Sequence, residues 1–113
     1  MLITAFLAQS PLTEFKSRWA ACEADKNLIA SSYTWCVMEA GAAEQKEFHQ
    51  HVDGLIRDKL VTDRRLSDWE KARDKRCKRV SRATPYPYFE VVEAGCRARA
   101  DDHFLKSNVR KSH

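Results

Sequence analysis

The stretch "LSDWEKARDKRC", residues 66–77, places Leu66, Trp69, Arg73 and Cys77 three or four residues apart, and Val80 continues the series. Three-and-four spacing lines up side chains on one helical face. Thr62 or Asp63 supplies a side-chain acceptor at the start. The pattern therefore predicts a helix from there to about Val80. Its inner face carries an indole, a cation and a thiol, so the fold turns on what Cys77 meets.

Working outward, three more segments read as helices. The first starts near Ser10-Pro11, a capping residue followed by a proline at the first helical position, and aligns Phe15, Trp19, Cys22 and Ile29. The second begins near Ser32 or Thr34 and reaches about Leu60, with Cys36, Ala40, Phe48, Val52, Leu55 and Ile56 as its apolar stripe. Gly41 and Gly54 interrupt it, as kinks or as points where a neighbouring helix comes close. Only Leu60 and Val61 separate it from the third helix, so those two should form an antiparallel hairpin. Pro85 and Pro87 in "SRATPYPY", residues 81–88, end the third helix. Pro87 opens the fourth, which carries Phe89, Val92, Cys96 and, less regularly, Phe104 and Leu105. Gly and Pro number three each, too few for a turn-rich β fold. The expectation is an all-α bundle of three to four helices in one small domain.

Cysteines stand at 22, 36, 77 and 96 with no CxxC pair, so neither a zinc ribbon nor a thioredoxin-like motif is supported. An even count in a short chain reads as two disulfides and an oxidising compartment; the alternative is four buried, reduced thiols. In a hairpin of the second and third helices, Cys36 lies near the start of one and Cys77 near the end of the other. That geometry favours Cys36–Cys77, which leaves Cys22–Cys96. Residues 1–10 read as the remnant of an export signal or as the apolar start of the first helix, and 108–113 as a basic, frayed tail. No apolar run reaches about 18 residues, so no membrane span is expected.

The string Trp69-x3-Arg73-Asp74-x2-Cys77, with Cys22 and Cys36 before it and Cys96 after, resembles the signature of the LprI-like lysozyme-inhibitor domain family over residues 20–107. Leu66 and Ala72 depart from the family's usual Gln and aromatic. The resemblance implies a secreted or periplasmic, disulfide-bonded helical domain spanning 11–107. It also implies inhibition of lysozyme, as in the name-giving members. Trp69, Arg73, Asp74 and Cys77 are the signature side chains. A Trp on an apolar stripe reads as core, and Arg73 as the partner of a carboxylate or the cap of a helix end.

Net charge is +4 but uneven: residues 1–60 carry −2 and residues 61–113 carry +6. Lys71, Lys75, Arg79 and Arg82 fall off the Trp69–Cys77 stripe and are expected at the surface, beside the rings of Tyr86 and Tyr88. Together they form a candidate surface for a protein partner such as a lysozyme-like or other cell-wall hydrolase, or a toxin that cleaves peptidoglycan. Nucleic acid is disfavoured, because no reading helix or stacking sheet accompanies the charge. His49, His51, His103 and His113 show no metal spacing, and no nucleophile or Gly-rich loop accompanies Glu44, Glu47, Asp101 or Asp102. The sequence therefore predicts no enzyme, metal or cofactor. An envelope scaffold without inhibitory activity is the other reading.

Overall fold

The structure, a computed structural model, describes residues 10–86 and 88–109. Four helices follow one another: α1 (Thr13–Ala24), α2 (Ala30–Arg57), α3 (Asp63–Arg82) and α4 (Phe89–Asn108). No strand occurs among the described residues. The chain is the all-α bundle that the periodicity predicts. Of the reading of residues 1–10 as a signal remnant or helix start all but Ser10 lies outside the described residues, as does Pro87 as a helix opener; of the tail read over 108–113, residues 110–113 lie outside them and Asn108 still belongs to α4.

Local chemistry sets each helix boundary. Ser10 Oγ accepts from the Leu12 N–H at 3.1 Å, and α1 begins at Thr13 rather than at Pro11. The Glu14 and Phe15 N–H groups, which have no intrahelical partner, donate to the Glu47 carboxylate of α2 at 3.0 and 3.2 Å. A buried carboxylate at a helix N-terminus is also favoured by the helix dipole. Because α1 stops at Ala24, Ile29 lies beyond it and is exposed, not on its inner face. The Ser32 hydroxyl accepts from the Ile29 N–H at 3.0 Å and caps α2. At the far end Lys59 takes a left-handed φ of 61°, Leu60 N–H bonds Leu55 C=O, and Lys59 N–H bonds Ile56 C=O. This is a Schellman stop. It makes the turn into α3 longer than the two residues expected. Thr62 Oγ1 accepts from the Arg65 N–H at 3.1 Å, the predicted cap of α3.

The close helix pairs are α1 with α2, α2 with α4, and α3 with α4. Contacts along α3 and α4 run in opposite directions: Trp69 meets Phe104, Arg73 meets Asp101, Cys77 meets Cys96 and Ser81 meets Phe89. Those between α2 and α4 advance together, from Gly41–Ala94 through Gln45–Asp101 to Phe48–Phe104. The fold is thus two antiparallel hairpins, α1/α2 and α3/α4, joined through a parallel α2–α4 contact. Phe15, Trp19, Val37, Phe48, Val52, Phe104 and Leu105 form the core.

This arrangement corrects two expectations. Helices α2 and α3 are consecutive but not a close pair; they meet through long side chains such as Phe48 and Trp69, ring centroids 5.7 Å apart. The disulfides are Cys22–Cys36 and Cys77–Cys96, not Cys36–Cys77 and Cys22–Cys96. A disulfide needs Cα atoms within about 4.4–6.8 Å. Each bond here joins a close pair, with Cα–Cα distances of 6.0 and 5.5 Å.

Non-reducing peptide mapping should recover Cys22–Cys36 and Cys77–Cys96; a peptide joining Cys36 to Cys77 would refute the topology. Replacing Cys77 and Cys96 together by Ser should lower stability in urea by about 2–4 kcal/mol, mainly by freeing the unfolded chain.

Candidate functional site

The signature side chains of α3 all point into its contact with α4 and α2. Trp69 is half-buried, its ring 4.4 Å from Phe104 and 5.7 Å from Phe48, centroid to centroid. Arg73 is only 4% exposed. Its guanidinium lies over the Trp69 and Phe48 rings, at 5.4 and 5.8 Å from their centroids. Arg73 Nη1 donates to Asp101 Oδ1 at 2.7 Å, and Nε donates to Asp74 Oδ1 at 3.0 Å. Asp74 also faces Arg97 at 3.4 Å, and Arg97 pairs with Glu93 at 3.2 Å. Glu70 completes the shell at 3.6 Å from Arg73 and receives His49 of α2 at 3.1 Å. One turn beyond, Cys77 is bonded to Cys96. Trp69, Arg73, Asp74 and Cys77 thus act as one clamp between helices.

Asp101 is fully buried, and beside it on α2 lies Glu44, 1% exposed. Gln45 Nε2 bridges them, donating to Glu44 Oε1 at 2.6 Å and to Asp101 Oδ2 at 2.9 Å. Burial, together with a hydrogen bond to the Asp101 carboxyl and its charge, holds the Glu44 carboxyl well above the usual carboxylate range. Glu44 is therefore a neutral acid at pH 7 and can donate to Asp101. Its Oε2 is buried with no hydrogen-bond donor reaching it among the described residues. Burial opposes the Arg73 charge, but the Asp101 and Asp74 carboxylates outweigh it and raise Arg73 above its ordinary value. A raised carboxyl beside a second carboxyl is also the signature of an acid–base pair. Here the Glu44 Oε2 atom and the whole of Asp101 are buried, and Glu44 lines, with Gln45, Glu93 and Arg97, a cavity of about 370 Å³. Among the described residues no group of three His, Cys, Asp or Glu could hold a metal ion.

The other sequence-predicted residues lie on the surface. Lys71, Lys75, Arg79 and Arg82 are all exposed. With Lys78, three of them form a stripe at i, i+4, i+7 and i+11 (Lys71, Lys75, Lys78, Arg82), about 17 Å long. None of these five cations has an ion-pair partner among the described residues. The stripe runs toward the loop that presents Tyr86, 85% exposed, and Tyr88, 48% exposed. Tyr88 also lies close enough to Tyr33 to affect its hydroxyl. Burial first, then the hydrogen bond to Glu23, push that hydroxyl far above the ordinary tyrosine value. Val80, expected on the inner face of α3, is exposed. Sequence reasoning missed Trp35, Met38 and Glu90, which the start of α2 and the start of α4 bring to one cavity. Trp35 interrupts no periodic stripe, so only its exposure could have singled it out.

Compared with family models, with curated proteins and with solved structures, the chain matches none.

Arg73→Met should cost about 3–5 kcal/mol in chemical denaturation, because it leaves Asp101 buried without its cation. A loss below about 1 kcal/mol would place the clamp elsewhere. The pH dependence has a definite sign. Unfolding exposes Glu44, whose carboxyl then ionises near its ordinary value, while the folded chain keeps the proton to higher pH. The Glu44 contribution is thus fully present below the ordinary carboxylate value and is lost progressively as pH rises toward the folded value. Gln mimics the protonated acid. Glu44→Gln should therefore gain stability relative to the wild type as pH rises from acidic to mildly alkaline; parallel stability–pH curves would show that Glu44 carries no proton when folded.

Proposed function

We propose that the protein is a non-enzymatic, periplasmic or secreted inhibitor of a lysozyme-like or other cell-wall hydrolase, serving as an immunity protein where the hydrolase is a peptidoglycan-cleaving toxin. The observation that carries this reading is the unpaired stripe Lys71, Lys75, Lys78 and Arg82 on a doubly disulfide-bonded scaffold, leading to the exposed rings of Tyr86 and Tyr88. Glycoside hydrolases of this class work with two carboxylates flanking a cleft. A rigid, basic ridge complements that charge, and a tyrosine loop can fill the opening. Of the two disulfides, Cys22–Cys36 ties α1 to α2 and Cys77–Cys96 ties the ridge helix α3 to α4, so little is lost in ordering the ridge on binding. They also suit an oxidising compartment, and no helix among the described residues is long and apolar enough to cross a membrane. The resemblance of Trp69, Arg73, Asp74 and Cys77 to the LprI-like signature supports the same assignment.

A wall-hydrolysis assay with purified, oxidised protein tests the reading. The wild type should slow hydrolysis. Lys75→Glu with Arg79→Glu should weaken inhibition about tenfold or more while changing stability by about 0.5 kcal/mol or less, since both positions are exposed. Inhibition should also weaken with salt over the range in which charges about 8–10 Å apart become screened. An unchanged inhibition constant in the double variant would move the surface away from α3. Binding without slowed hydrolysis would make the protein an envelope scaffold instead.

A further inference from the structure

The molecule carries a second surface feature, of the opposite sign. The start of α2, the loop before α4 and the first turn of α4 leave a notch of about 260 Å³ lined by Trp35, Met38, Tyr86, Phe89 and Glu90. Trp35 is 63% exposed and Tyr86 85%. Two large rings left in water at one opening are unusual unless something covers them. Glu90 is half-buried and has no hydrogen bond or ion pair among the described residues. Its place in the first turn of α4 suits the helix dipole. That does not account for the rings around it. Met38 and Glu90 also line a neighbouring cavity of about 370 Å³, where Glu93 is already engaged by Arg97.

Ring faces attract a cation, most often a guanidinium. A thioether and aromatic edges cover its aliphatic stem. An unpaired carboxylate takes its head in a charge-assisted hydrogen bond. An apolar occupant would leave Glu90 desolvated and unpaired, and an anion would be repelled by it. The notch, about 260 Å³, has room for one long side chain. We propose that this notch binds an arginine side chain presented by a partner protein, the guanidinium lying between Trp35 and Tyr86 with its N–H groups on Glu90. The inference does not rest on the hydrolase reading, because it specifies the chemistry of the partner's surface and not its activity.

The test uses the oxidised full chain and no hydrolase. Short peptides blocked at both ends, with a central arginine, lysine, leucine or glutamate, are titrated to millimolar concentration while the indole N–H signals of Trp19, Trp35 and Trp69 are followed by NMR. The arginine peptide should shift the Trp35 signal in a saturable way and leave buried Trp19 unmoved, with lysine weaker and leucine and glutamate without effect. The Trp35 indole is lost in one of the variants, so parent and variants are compared through the backbone amides of Met38 and Val91. Glu90→Gln should weaken arginine binding about threefold to tenfold, and Trp35→Leu roughly tenfold. Both positions are accessible, and unchanged Trp19 and Trp69 signals verify that each variant is folded. No saturable shift at Trp35, equal binding of the glutamate peptide, or affinity unchanged in both variants would overturn the proposal. Peptide binding here, with no inhibition in the separate wall-hydrolysis assay, would sink only the hydrolase reading.

Discussion

Arg73 is a cation held almost out of water, and a buried charge is tolerated only when its partners are in place. Asp101 across the α3–α4 contact and Asp74 on the same helix provide them. The pair sets a register. One turn back from Arg73, Trp69 reaches Phe104, one turn on from Asp101. One turn forward, Cys77 reaches Cys96, about one turn back. Sliding α4 by a turn would separate the charges, the rings and the sulfurs at once. Packing, ion pairing and covalent bond therefore select the same antiparallel alignment, which is the consistency expected of a sequence that specifies one structure.

The same cluster ties the two hairpins together. Asp101 is shared between Arg73 of α3 and Gln45 of α2, and Glu44 of α2 stays neutral beside it. Neutral Glu44 avoids a second buried negative charge that Arg73 alone would not balance. On the other hairpin, Glu47, one turn along α2, turns outward from this cluster to cap α1. Two carboxyls three residues apart on α2 thus hold two different neighbours. With these acids turned inward, Lys71, Lys75, Lys78, Arg79 and Arg82 of α3 are left exposed with no ion-pair partner among the described residues. That separation of charge produces the basic ridge, while the notch at Trp35 and Glu90 keeps a local negative character on a protein of net charge +4.

The helices themselves were legible in the sequence. Trp69, Arg73 and Cys77 recur at helical spacing, Thr62 caps α3, and scarce Gly and Pro exclude a turn-rich sheet. The surface position of Lys71, Lys75, Arg79 and Arg82 also follows from their place off that stripe. Less visible were Glu44, Glu47, Asp101 and Asp102, to which the sequence assigned no role and which are buried. Periodicity of apolar residues carries no signal for a polar group that is buried because a partner on another helix satisfies it.

Period, caps and composition are local properties, so the sequence by itself determined four helices, their approximate ends, and a charge-rich outer face on α3. Which helices lie side by side is not local. A short turn between α2 and α3 suggested a hairpin, yet the left-handed Lys59 stop and the α2–α4 core send α3 against α4 instead. The cysteine pairing followed from that choice, because a disulfide bridges only Cα atoms a few ångströms apart. Only the tertiary structure decided it, as only the tertiary structure brought Trp35 and Met38 to Tyr86 and Glu90 across some fifty residues of chain. Long-range contacts are selected by the joint packing of all four faces, and no single segment encodes that sum.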